Sequence, residues 1–224
     1  MTHTLTLQSI AALTPDTYHL VFDKPEGFAF KPGQATDFAV DKDGWREEKR
    51  PFTFTSLPGE DTLQFVIKTY PEHDGVTEQI GKMTVGDKAL IEDPWGAIED
   101  KGDGIFIAGG AGVTPFIAIL RQKLQDNGTL DGNTLVFSNQ TEADIILKDE
   151  FDAMPGLKTV YTVTDRPDSD YARGKVDASF LKDMVDVKGD MVYVCGPDAM
   201  VEALPREVAE LGVPDKQVVT EDLD

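Results

Sequence analysis

Two short stretches of this 224-residue chain carry residue types suited to holding a ligand against bare backbone. The first is 109-GGAGVTP-115, set between the apolar runs 104-GIFIA-108 and 116-FIAILRQKL-124. Glycine is costly to order, so a run of it needs a physical reason. With Thr114 as N-cap and Pro115 at the first helical position, the stretch is predicted to turn from a strand into a helix with free N–H groups. Gly109, Gly110 and Gly112 lack side chains that would block a ligand, and a helix N-terminus favours negative charge, so a pyrophosphate suits the turn. The second stretch is 191-MVYVCGPDAM-200, an apolar strand ending in Cys195, Gly196 and Pro197, with Met200 just beyond. If both strands belong to one parallel sheet, both turns open at its carboxyl edge, where open α/β sheets bind ligands.

Neither stretch decides the matter alone. The general dinucleotide fingerprint needs a third glycine and an acid at the end of the second strand. Here Gly112 is followed by Val113, Thr114 and Pro115, and the second strand ends at Ser138 and Asn139. A lone cysteine such as Cys195 is more often a small buried hydrophobe than a reactive thiol. A third stretch, 50-RPFTFTS-56, offers the phosphate-gripping fork of Arg50, an aromatic ring at Phe52 and a hydroxyl at Thr53. On a strand, Arg50 and Phe52 face one side and Thr53 the other, and Phe52 with Phe54 would serve equally well as core.

The elements that must position these residues fall into two textures. Up to about residue 92 the chain reads as six short strands, THTLTLQSI, TYHLVF, ATDFAV, RPFTFT, TLQFVIKTY and DKALIE, with one helical stretch at 76-VTEQIGKM-83. Alternation with aromatic and β-branched residues predicts an antiparallel sheet or small barrel. The polar segment 99-EDKGDG-104 is the expected junction, giving domains over 1–100 and 101–224. Beyond it, the continuous apolar strands GIFIA, TLVFS, TVYTVT, MVYVC and KQVVT alternate with amphipathic stretches, which predicts a five-stranded parallel sheet covered on both faces.

Composition narrows the function classes. With 41 acidic and 21 basic residues the formal net charge is -20, which opposes nucleic acid and anionic lipid as partners. One cysteine precludes an intramolecular disulfide, and His3, His19 and His73 are scattered, so neither a metal cluster nor a Ser-His-Asp set is expected. The stretch MTHTLTLQSIAAL alternates like a strand and not like a signal peptide, and no apolar run approaches the ~20 residues of a membrane span. A cytoplasmic monomer is expected.

In this order the motifs resemble those of the ferredoxin-NADP reductase superfamily: RPFT as its flavin motif, GVT at 75–77 as its flavin-phosphate turn, GGAGVTP as its pyridine-nucleotide loop and CGPDAM as its nicotinamide-side motif. Within it, 139-NQTEADIILKDEF-151 and 66-VIKTY-70 are most similar to NADH-dependent cytochrome b-five reductases and related bacterial reductases. The resemblance implies a flavin-binding six-stranded barrel joined to an NAD(P)-binding α/β domain, with nicotinamide meeting flavin between them. It implies FAD, with FMN the lesser alternative, and NADH or NADPH as co-substrate. Arg50 and Pro51 would lie at the flavin phosphate, Phe52 against the isoalloxazine and Thr53 at flavin N5. Val66, Ile67, Lys68 and Tyr70, with Gly75, Val76 and Thr77, would hold the rest of the flavin. Gly110, Gly112, Thr114 and Pro115 would cradle the nucleotide, with Asn139 and Asp165 towards its adenosine ribose. Cys195, Gly196, Pro197 and Met200 would border the nicotinamide, and Thr53, Cys195 and Glu221 would stand at the reacting atoms.

Asp165 favours NADH because a carboxylate suits a 2′-hydroxyl, whereas Arg166 and Arg173 would suit a 2′-phosphate. Two features depart from the family pattern. Phe52 replaces a common tyrosine, and the end VVTEDLD offers Leu223 where many members place an aromatic over the flavin, so leakage of electrons to dyes or oxygen is expected. The acceptor would be a ferredoxin, flavodoxin, cytochrome, oxygenase component or free flavin, and an acidic one would need a basic patch from Lys31, Lys42, Arg46 and Lys49. The competing readings are an NADPH-dependent ferredoxin or flavodoxin reductase and a non-catalytic electron-transfer subunit or redox sensor of the same fold.

Overall fold

The computed structural model describes residues 1–96, 98–165 and 169–221. The chain forms two compact units, Met1–Gly96 and Ala97–Asp224, parting just before the polar stretch that marks the junction in the sequence.

In the first unit every expected strand forms: β1 (His3–Thr14), β2 (Thr17–Asp23), β3 (Ala35–Val40), β4 (Arg50–Thr53), β5 (Thr62–Lys68) and β6 (Lys88–Ile91), with helix α1 (Val76–Gly81) before the last. Alternation does what period two requires: Leu5 and Leu7 of β1 and Leu63, Phe65 and Ile67 of β5 are buried. The β1–β2 turn is tight because Thr14 and Thr17 each donate a hydroxyl hydrogen bond to the Asp16 carboxylate, both at 3.1 Å. The strands form one antiparallel sheet in the order β4-β3-β6-β1-β2-β5, around a core that includes Phe22, Phe38, Phe54 and Phe65. Just past β4, Thr55 N–H donates to Gln64 O of β5 at 2.8 Å, so the sheet curls until its edges touch without closing into a full barrel.

The second unit alternates strand and helix: β7 (Gly104–Gly109), α2 (Thr114–Asn127), β8 (Thr134–Asn139), α3 (Lys148–Ala153), β9 (Lys158–Val163), β10 (Ala172–Arg173), α4 (Ala178–Leu181), β11 (Met191–Cys195), α5 (Asp198–Glu210) and β12 (Val218–Thr220). The five expected parallel strands are present, with the two-residue β10 added at one edge, in the order β10-β9-β8-β7-β11-β12. On one face Phe106 stacks on Tyr193 with centroids 4.3 Å apart, and Phe116 of α2 meets Phe106 edge-on at 5.2 Å. On the other face Ile105, Ile107, Val192 and Val194 pack with Leu181, Leu204 and Val208 of α4 and α5. From β7 the chain runs outward one way to β8 and β9, then returns to β11 on the other side. The switch of direction therefore lies between β7 and β11, the place where open α/β sheets leave a crevice.

Two local readings change. Thr114 does not cap α2: the backbone is already wound from Gly110 to Val113 as a 3₁₀ turn, and Thr114 is helical with φ -58° and ψ -43°. Pro197 stands just before α5 with ψ 148°, not inside it, and its carbonyl accepts from Met200 N–H at 2.7 Å. Among the described residues no helix is long and apolar enough to cross a membrane.

Candidate functional site

β7 and β11 are neighbours with Ala108 opposite Cys195, so the turns that follow them emerge side by side. A Cβ on Gly112 would lie 2.3 Å from the Cys195 carbonyl oxygen, and one on Gly109 would lie 2.7 Å from Pro197 Cδ. Gly112 is required because the two backbones touch, and Gly109 because the Pro197 ring and the Met200 side chain press on it, which differs from the ligand-clearance reason their sequence suggests. Gly110 alone of the three fits that reason: its φ is +51° and nothing lies within 4 Å of where its Cβ would be. Met200 packs behind both turns, its sulfur 3.1 Å from a Gly109 Cβ and 3.0 Å from a Gly196 Cβ.

The fourteen-residue helix α2 starts without a side-chain cap. Thr114 turns its hydroxyl back to donate to Ala111 O at 3.0 Å, so it stiffens the turn without covering the N–H groups that precede the helix. Cys195 is 4% exposed, and its Sγ donates to Glu221 Oε2 at 3.6 Å. Burial, and then the Glu221 carboxylate, push the thiol well above its ordinary pKa, so it stays protonated. Glu221 also borders an open cleft of ≈ 580 Å³ along edge strand β12.

Further along the same carboxyl edge, the ends of β8 and β9 are laced together. Thr164 N–H donates to Asn139 O at 3.1 Å and Asp165 N–H to Gln140 O at 2.9 Å, while the exposed Asp165 carboxylate accepts from Thr164 Oγ1 at 3.0 Å. Ser169 Oγ donates to Glu142 Oε1 at 2.5 Å and binds the same two loops once more. Asn139 itself is buried, and among the described residues both atoms of its side-chain amide lack a partner.

In the first unit, Arg50 opens edge strand β4 with its guanidinium exposed, donating to Lys49 O at 2.6 Å and standing 3.8 Å from Glu48. Pro51 follows, also exposed; Phe52 is half-buried and edge-on to Phe38 at 5.6 Å; Thr53 is buried. Val66, Ile67 and Val76 spend their side chains on the core, which leaves only their backbone for a ligand. Lys68 pairs with Asp16 at 2.9 Å, and exposed Tyr70 stacks on His73 at 5.3 Å. Gly75 precedes α1 in extended conformation with no side-chain cap, and Thr77 is half-buried in its first turn. Of the residues expected to form a basic patch, Arg46 binds Asp41 and Asp43, and Lys49 binds Glu92 at 2.5 Å.

Residues 106–205 match the model of the oxidoreductase NAD-binding domain. NADH-cytochrome b5 reductase 1 of Candida glabrata is 31% identical over 189 residues, an alignment covering 76% of this chain and 65% of the relative. The fold agrees with a ferredoxin NADP+ reductase from Neisseria gonorrhoeae carrying FAD and NADP, with a TM-score of 0.85 at 19% identity, covering 98% of this chain and 97% of that one. The chain has the ferredoxin-NADP reductase fold.

A third match, the cytochrome b5 reductase domain of Ulva prolifera nitrate reductase, shares the superfamily fold with a TM-score of 0.84 at 20% identity over 98% of this chain and 97% of that one. The chain spans 65%, 63% and 59% of three curated superfamily relatives, less than two thirds of their length. Of the superfamily positions singled out in the sequence, Arg166, Leu223 and the Arg173 side chain lie outside the described residues. Sequence reading missed Glu142 and Ser169, because only the pairing of two distant loops gives these ordinary polar residues a role. It also missed Lys123, buried on α2 at 2.9 Å from Asp103 and 3.2 Å from Asp100. A lysine within the apolar stripe of α2 was the available signal.

Proposed function

We propose that the chain is an NAD(P)H-dependent flavin oxidoreductase that prefers NADH, binds FAD and passes electrons to a protein or small-molecule acceptor. The observation that carries the reading is the joint between the two turns: Gly112 lies against the Cys195–Gly196 backbone at the switch point of a parallel sheet. A pyrophosphate fits there because the turn before α2 is uncapped and open at Gly110. A flavin fits the first unit because Arg50 presents an exposed fork beside a half-buried ring at Phe52 and a hydroxyl at Thr53.

When bound, a flavin accepts the electron pair of a hydride and hands electrons on singly. The chain's own residues bind and orient. N–H groups of the 110–113 turn would hold the pyrophosphate, and Asp165 would accept from a ribose hydroxyl. Arg50 would hold the flavin phosphate, with Phe52 and Thr53 beside the flavin ring. Cys195, kept neutral by burial and by Glu221, borders the nicotinamide without acting as base or nucleophile. Hydride transfer needs no strong acid or base, only alignment and exclusion of water. NADH is favoured because Asp165 would repel a 2′-phosphate.

The test is an anaerobic visible spectrum of the purified protein, titrated with NADH and, separately, NADPH. We expect a flavin spectrum that bleaches at stoichiometric NADH and more slowly with NADPH. A flavin reduced by neither nucleotide would move the chain to an electron-transfer subunit or sensor, and a colourless protein that takes up neither FAD nor FMN would overturn the reading.

A further inference from the structure

The chain has two tryptophans, and the first unit uses them differently. Trp45, in the loop between β3 and β4, packs against the phenylalanine core. Trp95, just past β6, is half-buried and stands outside that core. Its indole nitrogen is nevertheless sealed from solvent, and among the described residues it has no hydrogen-bond partner. An indole N–H can only donate, and a buried donor without an acceptor destabilises the state that contains it. Such groups are rare in native proteins, so an unpaired one points to an acceptor that the chain itself does not supply.

Backbone register places that donor. Trp95 and Ala35 exchange both of their backbone hydrogen bonds, from Ala35 N–H to Trp95 O at 2.7 Å and from Trp95 N–H to Ala35 O at 2.8 Å. Ala35 in turn lies opposite Thr53 of β4. Residues directly opposite one another on antiparallel strands send their side chains to the same face, so Thr53, Ala35 and Trp95 form one row across the sheet. Only the Ala35 methyl group stands between the hydroxyl and the indole. Neighbouring strands lie about 4.8 Å apart, so the two ends of the row are about 10 Å apart, a span suited to a fused three-ring heterocycle. Arg50 sits three residues back along β4, opposite Phe38 and roughly 10 Å from Thr53. With a flavin phosphate at Arg50, the row that ends in Trp95 is at the level of the flavin ring.

We propose that Trp95 is a flavin-binding residue whose indole N–H donates to an acceptor atom on the ring system of the bound flavin. The inference rests on the flavin-binding reading above and adds to it a donor at the far end of the Thr53 row. A donor holds a negatively charged reduced ring more strongly than a neutral oxidised one, so the same bond raises the reduction potential of the site.

Trp95→Phe keeps an aromatic ring and removes the N–H. We expect the Kd for FAD, measured by titration calorimetry on flavin-free protein, to weaken about tenfold, the scale of one hydrogen bond. The Kd for riboflavin should weaken by the same factor, because the contact is to the ring, and the midpoint potential of the bound flavin should fall. Unchanged affinity for both ligands, a loss confined to FAD, or a potential that does not fall overturns the proposal and leaves the flavin-binding reading standing. Failure of the wild-type protein to bind either ligand overturns both. Should the phenylalanine variant not fold, the indole N–H resonances of the wild-type protein decide, since two tryptophans give two signals. The Trp95 signal, assigned through Trp45→Phe, is expected to move downfield when FAD binds, and a signal that does not move downfield overturns the proposal.

Discussion

Cys195 and Arg50 illustrate how the same sequence conspicuousness can lead to opposite chemistry. Cys195 is the single thiol, yet burial and the Glu221 carboxylate 3.6 Å away both oppose its ionisation. We therefore expect it to resist iodoacetamide in the native protein at pH 8, with Glu221→Gln changing the labelling rate little because burial is the larger cause. Rapid labelling of the folded protein would contradict that assignment. Arg50 is exposed and holds only a backbone carbonyl and a distant carboxylate, so its fork remains available to an anion. Arg50→Ala is expected to cut flavin retention through gel filtration, and unchanged flavin content would remove it from the site. At Asp165 the expected change is in selectivity: Asp165→Ser should shift the ratio of kcat/KM values towards NADPH, with an unaltered ratio counting against the ribose contact.

At the scale of elements, two joints carry the nucleotide unit. The first is the meeting of the β7–α2 and β11–α5 turns. A methyl on Gly112 would intrude to 2.3 Å from the Cys195 carbonyl, so Gly112→Ala must part the two turns, at a cost of about 2–3 kcal/mol. Gly110→Ala meets open space and costs about 1 kcal/mol for its left-handed φ. Tm values of the two variants should differ in that order, and equal losses would mean that the turns do not bear on each other.

The second joint is Lys123, which ties α2 to the segment entering β7. Burial works against its charge, but Asp103 and Asp100 outweigh burial and raise its pKa. In return the hydrogen bond from Lys123, followed by that from Asn133, holds the Asp103 carboxyl below its usual range. A carboxylate with a lowered folded pKa stabilises the protein above about pH 4, and that stabilisation is lost as pH falls through the folded value. Lys123→Met should cost about 1–2 kcal/mol at pH 7 and flatten the fall in Tm between pH 5 and pH 3, measured by calorimetry.

For the whole molecule, a net charge of -20 means that self-repulsion opposes compactness at low ionic strength. We expect Tm to rise as salt increases from ~0.01 M to ~0.5 M, where the screening length falls below the spacing of surface charges. A Tm that is flat or falls with salt would mean that local ion pairs dominate over the net charge. Arg46 and Lys49 are taken up by Asp41, Asp43 and Glu92, so these two cations do not relieve the excess.

The sequence by itself determined the two textures, the six strands of the first unit, the parallel strands of the second and the motifs at their ends. Each of these is written in a local period: Leu5 and Leu7 alternate, GIFIA and MVYVC run continuously apolar, and the glycine-rich turns punctuate them. The tertiary structure alone decided what those turns are for. Gly109 and Gly112 are explained by residues more than eighty positions away, the Pro197 and Met200 side chains for the first and the Cys195–Gly196 backbone for the second, and Lys123 by two aspartates just before β7. Local period sets which face a residue occupies; register between distant segments sets what it meets there.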